Sequence, residues 1–308
     1  MPSAALQALL EHSIDYAGMF PPCSLPLESA LQNQAEYVRH PDAWMLGAFV
    51  LPVEEFDAAV GNLSLFDKKH PLFISALGVK TANADEFIDT LKIAADKIRS
   101  FSAQHGDLVS IRQLEMALPH NVDLGLLAKA RSALEGLKLQ AFWETPVDSA
   151  EETIALLAEH NSTAGARSFG YKLRTGGVTV DAFPASPQIA RALVAVAKQR
   201  VPIKFTAGLH HPIRQFRDEV KTRMHGFLNV LGAAVLAAEY QWDEEQTFKM
   251  LEDGNATSFS FNGDSFAWRE WEIATDQIKA RRKLVTSFGS CSFDEPREDL
   301  RALNLLTS

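Results

Sequence analysis

The sequence is poor in cysteine. Two thiols, Cys23 and Cys291, are spread over 308 residues. That is too few for a disulfide framework or a cysteine-based zinc site. The N-terminus, MPSAALQALLEHS, lacks the basic region and apolar run of a signal peptide. Long apolar runs are also missing. The longest nearly uncharged one, residues 226–238, has 13 residues, short of the roughly 20 that span a bilayer. These absences predict a soluble, cytoplasmic chain with no membrane partner. Positive charge is in deficit: 30 Lys and Arg stand against 39 Asp and Glu, a net charge of −9. A surface of that sign repels phosphate backbones, so no nucleic-acid partner is expected. There is no Gly-x-Ser-x-Gly elbow and no Gly-x-Gly-x-x-Gly turn. A simple serine hydrolase and a Rossmann dinucleotide site therefore lack support. Low-complexity linkers are absent as well.

What is present is an alternation of two periodicities. Short apolar, β-prone runs lie at 13–18, 45–52, 72–78, 109–118, 137–144, 168–174, 201–208 and 284–290. Between them lie amphipathic stretches such as ADEFIDTLKIAADKIRS, whose apolar residues recur every three or four positions. Eight strands alternating with helices predict a parallel sheet closed into a (β/α)8 TIM barrel, one domain over 1–308. The interval before the last strand is longer than the others. It carries an apolar helix (226–240), an acidic helix (243–253) and the aromatic segment TSFSFNGDSFAWREWE. We read 226–283 as a helical and aromatic insertion between strands seven and eight, either a lid or a subunit contact in a homo-oligomer. A ninth strand at 257–261 is the alternative.

A barrel places its chemistry at the C-terminal ends of its strands. Those ends carry Asp15, Glu115, Glu144, Lys172, Arg174 and Lys204, with His210 and His211 just beyond. Burying an unpaired charge costs several kcal/mol, so this repetition calls for a purpose. Lys172 and Lys204 sit on successive strands. Two ammonium groups in one confined mouth repel, which favours a neutral amine, and a neutral lysine condenses with carbonyls. The plainer alternative is a neutralising ion-pair network that only fixes the barrel. Glycines follow the last three strands in YKLRTGG, TAGLHHP and SFGSCSF. Such loops let backbone N–H groups approach an anion.

These segments resemble the deoxyribose-phosphate aldolases. YKLRTGGVTVDAFP is similar to the segment around that family's Schiff-base lysine. In order along the chain, IDYA, FVLP, LEM, WET, IKFTAG and FGSCS resemble its other strand ends. The resemblance implies a class I aldolase-type lyase with no cofactor beyond the lysine itself. Lys172 would form the Schiff base, Lys204 would lower its proton affinity, and Glu115 with Asp15 would shuttle a proton. Gly176, Gly208, Gly289 and Ser292 would cradle a phosphate or carboxylate. Glu144, Arg174, Thr175, Thr206, His210, His211 and Ser290 complete the expected substrate-binding set. Arg174, Cys291 and the His210–His211 pair depart from the family pattern. An arginine at the mouth suits a carboxylate, so the expected substrate is a small anionic carbonyl compound.

Two other readings compete. His210, His211 and His225 with carboxylates would hold a divalent metal in a hydrolase or lyase, although adjacent histidines on an extended segment point apart. A non-catalytic, ligand-binding barrel would instead use the 226–240 helix with Trp242, Trp268 and Trp271 as a partner surface.

Overall fold

The structure, a computed structural model, describes residues 2–163 and 169–306. Its strands are β1 (Ile14–Tyr16), β2 (Leu46–Pro52), β3 (Leu72–Leu77), β4 (Val109–Ala117), β5 (Gln140–Glu144), β6 (Gly170–Arg174), β7 (Ile203–Thr206), β8 (Gln215–Arg217), β9 (Thr222–Met224), β10 (Phe259–Phe261), β11 (Ser265–Trp268), β12 (Trp271–Ala274) and β13 (Val285–Ser290). Each of the eight apolar runs supplies one stave of a closed parallel barrel. The order round it is β1–β13–β7–β6–β5–β4–β3–β2. Parallel strands are covered on both faces, which is why they read as continuous apolar runs rather than alternating ones. Ser168, at the start of the sixth run, lies outside the described residues; the strand there begins at Gly170.

The intervening helices form for local reasons. Helix Ala84–His105 starts at Asn83, whose side chain accepts a hydrogen bond from the Glu86 N–H. It then buries Phe87, Ile88, Leu91, Ala94, Ala95, Ile98 and Phe101. That spacing is one face of a helix laid on the barrel, and each large side chain so buried stabilises the fold by about 2 kcal/mol.

Helix Phe227–Tyr240 is the crossover from β7 to β13, packed on helix Ser186–Gln199 and on β13. It is buried nearly all round. Helices Glu244–Leu251 and Thr275–Arg281 and strand β12 cover the side that would otherwise face solvent. Its apolar composition is therefore core composition. Trp242 and Trp268 are buried too, with rings 5.8 Å apart, and Trp242 stacks edge-on to Trp271 at 5.1 Å. These groups pack against one another, which corrects their reading as a partner surface.

The expected strand at 257–261 exists as β10, but it pairs antiparallel with β11 in the separate sheet β10–β11–β12. The barrel keeps eight strands. The hairpin β8–β9 was not anticipated, because QFR and TRM are short and polar and carry no alternation. No helix among the described residues is long and apolar enough to cross a membrane.

Candidate active site

Glu144, Lys172 and Lys204 occupy one row of the barrel. Glu144 pairs with Lys172 across β5 and β6, and Lys172 pairs with Lys204 across β6 and β7. Neighbours in a parallel register point to the same face, and here that face is the barrel interior. Asp15 on β1 and Glu115 on β4 project into the same space. The five groups, with Arg174, form a chain of alternating charge.

At one end, the Lys204 ammonium donates to Asp15 Oδ2 at 2.8 Å, to Gln113 Oε1 at 2.6 Å and to Glu115 Oε1. Its three N–H donors thus meet three close acceptors, with Ser75 Oγ a longer fourth at 3.4 Å, and Lys204 is 1% exposed. Glu115 also accepts from the Ser75 hydroxyl at 2.5 Å. Asp15, fully buried, accepts from the Ser287 hydroxyl at 2.6 Å and from the Ala48 N–H at 2.7 Å. Residue 47 is glycine for a reason of space: a Cβ there would stand 2.4 Å from Asp15 Oδ1.

Toward the mouth, Lys172 Nζ lies 2.9 Å from Glu115 Oε2 and 3.0 Å from Glu144 Oε2. Among the described residues these two carboxylates are its partners. Glu144 Oε1 in turn accepts from Arg174 Nε at 3.1 Å, and the Arg174 side chain is half exposed. Glu144 and Arg174 line a cleft of about 960 Å³ bounded by the loops after β4, β5 and β6. The buried charge chain therefore surfaces in an open cleft.

Electrostatics divides the chain. Burial alone would push the Glu115 carboxyl up, but Lys172 and Lys204 overcome it and hold it well below the usual range. Burial would pull Lys204 down, yet Asp15 and Glu115 raise it above its ordinary value. Glu144 resists burial in the same way and is lowered by Lys172 and Arg174. Buried charges of this kind persist only when paired and hydrogen-bonded.

The remaining expected residues lie at the ends of β6, β7 and β13 and in the loops that follow. Thr175 staples two loops, its hydroxyl donating to Ala207 O at 2.5 Å and its N–H to Thr206 O at 2.9 Å. Gly176 and Gly208 lie against each other: a Cβ on Gly176 would stand 2.9 Å from the Gly208 Cα and 2.6 Å from Phe183 Cε1. Thr206 ends β7 beside Gly289, which pairs with Asp15 in register. Ser290 Oγ donates to Ser292 O at 2.7 Å, and Ser292 Oγ accepts the Glu295 N–H at 3.1 Å. That contact lies at the start of helix Asp294–Ala302, whose first turn carries Asp294 and Glu295.

His210 and His211 do not point apart. Positive φ angles at Ala207 (60°) and Gly208 (76°) turn the chain out of an extended course. Both rings then reach the last helix. His210 Nδ1 lies 3.1 Å from Glu295 Oε2, and His211 Nδ1 lies 2.6 Å from Asp299 Oδ2. His225 sits elsewhere, its Nε2–H donating to Pro184 O at 2.9 Å and its Nδ1 accepting from Arg214 at 3.2 Å. Burial, then Arg214, pulls it down to about 4 despite the Pro184 bond. With both ring nitrogens engaged, His225 does not join His210 and His211. Among the described residues no cluster of three or more His, Cys, Asp or Glu is arranged to hold a metal ion.

Sequence reasoning missed Ser75, Gln113 and Ser287, which complete the inner half of the network. Ser75 had a signal, one polar residue inside the apolar run LFISAL, whereas Gln113 and Ser287 were masked by their polar neighbours Arg112 and Thr286.

Comparison with known proteins finds no family model that matches the chain and no curated protein that does. What stands of the family resemblance is the barrel itself, eight parallel strands with helices between them.

Proposed function

We propose that the barrel mouth performs Schiff-base carbon–carbon chemistry on a small carbonyl compound that bears a carboxylate. TIM barrels commonly house enzymes, and the particular reaction is read from the site. The observation that supports it is the asymmetry of the two amines. Lys204 has its three donors matched and is sealed in, whereas Lys172 has two carboxylate partners and leads through Glu144 to the cleft.

The chemistry follows from the charge chain. Arg174, half exposed, takes the substrate carboxylate in a bidentate pair. Glu144 thereby loses one of the cations that lower it, and its proton affinity rises. It accepts a proton from Lys172 over 3.0 Å. The neutral amine adds to the carbonyl carbon, and the carbonyl oxygen collects two protons, one from the attacking nitrogen and one returned by Glu144, and leaves as water. The product is an iminium. Its positive charge sits where the ammonium was, beside Glu115, which Lys204 keeps anionic. An iminium draws electrons from the neighbouring carbon, so the adjacent bond breaks to an enamine: a C–H bond gives its proton to the Glu144 carboxylate, and a C–C bond next to a hydroxyl releases an aldehyde as that hydroxyl gives its proton to the same carboxylate. A metal is not required by this route.

Arg174 is preferred as the anion site over the loop after β13. The Ser292 hydroxyl already accepts the Glu295 N–H of the first helical turn there, and Asp294 and Glu295 oppose a second anion. Gly176 and Gly208 meet a packing need of their own.

The test is α-hydrogen exchange in D2O, followed by NMR, over small 2-keto acids and aldehydes. The wild type should accelerate exchange of at least one keto acid, Lys172→Met should abolish it, and Arg174→Gln should slow keto acids more than neutral aldehydes. No acceleration across the series, or equal rates in wild type and Lys172→Met, contradicts the proposal.

A further inference from the structure

The cleft that Glu144 and Arg174 line is far roomier than a short keto acid requires. At about 960 Å³ it has the size of a pocket for a drug-sized ligand. Its charge is one-sided. Among the described residues its lining carries five carboxylates, those of Glu144, Asp148, Glu152, Glu159 and Asp181, and the lasting cations of Lys80 and Arg174. Glu144 is matched by Lys172 and Arg174. The other four carboxylates stand against Lys80. Asp148 has a neutral partner, the Gln188 side-chain amide at 2.6 Å. Among the described residues no salt bridge engages Glu152, Glu159 or Asp181, and all three are exposed.

Helix Ala150–Thr163 contributes to one wall. Glu152 and Glu159 lie about two turns apart on it and so share a face, with Leu156 between them. That face reads acid, apolar, acid. A second observation points to an occupant. Thr81 also lines the cleft and is 8% exposed, and among the described residues its buried hydroxyl has no hydrogen-bond partner. An unmatched buried hydroxyl is costly, and a donor entering the cleft relieves it.

We propose that the cleft selects a keto acid whose far end carries an ammonium group. The near end, at Arg174 and Lys172, rests on the Schiff-base reading. The preference at the far end stands on the cleft itself. The carbon chain lies along the apolar part of the lining at Leu156, and the ammonium meets the carboxylates of Asp148, Glu152, Glu159 and Asp181. Three N–H donors and no acceptor suit those carboxylates and the Thr81 hydroxyl. A second carboxylate at the far end is repelled, so a dicarboxylic keto acid is turned away. The attraction is one between exposed charges, modest for each pair and weakened by salt.

The test is calorimetric titration of the full chain, at low salt, with three unreactive probes of equal chain length: δ-aminovalerate, valerate and glutarate. Binding is thereby read apart from reaction. δ-Aminovalerate should bind tightest, about fivefold tighter than valerate, and glutarate weakest. Added salt should narrow the gap. Glu152→Gln, Glu159→Gln and Asp181→Asn combined, all at exposed positions, should bring δ-aminovalerate down to valerate, whereas Lys172→Met should keep the order. That order without deuterium exchange on any keto acid would sink the Schiff-base reading and leave the cleft preference standing. Exchange that needs Lys172 without that order would do the reverse. Equal binding of the three probes, tighter binding of glutarate, no binding at all, or a preference that survives the combined variant overturns the proposal.

Discussion

Lys172 and Lys204 are register neighbours on adjacent strands, and they hold opposite oxygens of one carboxylate, that of Glu115. Two like charges can share a barrel at this separation because three carboxylates interleave with three cations, from Asp15 through Lys204, Glu115, Lys172 and Glu144 to Arg174. The inner members are sealed by strands on every side. The outer members reach the cleft. The same row of residues is thus sealed at one end and opens to the cleft at the other.

This division makes the two lysines unequal in stability. Lys204→Met leaves Asp15 and Glu115 buried without their shared cation and should cost about 3–5 kcal/mol. Lys172→Met leaves Glu115 with Lys204 and Glu144 with Arg174, and should cost less, about 1–3 kcal/mol. Urea unfolding of both variants checks the order. Equal losses, or a larger loss at Lys172, would contradict it.

His225 and Glu115 both act on the acid side of the pH profile of stability. His225 binds its proton less readily when folded, at about 4 against 6.5. The unfolded chain therefore takes up more protons between those values, and stability falls as pH drops through the window, by about 3 kcal/mol from this group. Glu115 is lowered on folding from 4.5, so its contribution is complete above that value and is lost as pH falls below it. Lys204 is raised above 10.5, so its contribution holds below that value and is lost as pH climbs past it. His225→Gln, which cannot titrate, should flatten the slope between pH 6.5 and 4 while leaving the lower component in place. An unchanged slope would show that His225 is not the source.

Gly176→Ala puts a methyl group 2.6 Å from the Phe183 ring and 2.9 Å from the Gly208 backbone. Overpacking of this kind costs about 1–3 kcal/mol. Thermal unfolding without any ligand should show the loss. A variant as stable as the wild type would mean that the two loops separate easily and that the glycine serves some other need.

Most of the architecture is legible in the residues. Runs such as MLGAFVLP and LFISALG are apolar throughout because both faces of a parallel strand are buried, and all eight such runs became barrel strands. Charged residues at strand ends stood out for the same reason, since Glu115 and Lys172 interrupt otherwise apolar stretches. What the residues did not convey is pairing across the barrel. That Glu115 bridges both lysines depends on how inward side chains of β4, β6 and β7 converge inside the barrel, with 57 positions in sequence between Glu115 and Lys172. The packing need of two glycines was hidden for a related reason. Gly176 and Gly208 each lie two residues beyond Arg174 and Thr206, register partners on the adjacent strands β6 and β7, and that pairing brings their backbones together. The 226–240 helix, apolar on all sides, suggested a surface for a partner until its own chain was seen to cover it.

The central claim is that Lys172, and not its neighbour, is the amine that reacts. Borohydride reduction in the presence of the small keto acids, followed by proteolysis and mass spectrometry of the lysine peptides, reads this directly. The account predicts one stable adduct, on Lys172, absent from Lys172→Met and retained in variants of surface lysines such as Lys68→Met. An adduct on Lys204, adducts scattered over exposed lysines, or none at all would contradict it.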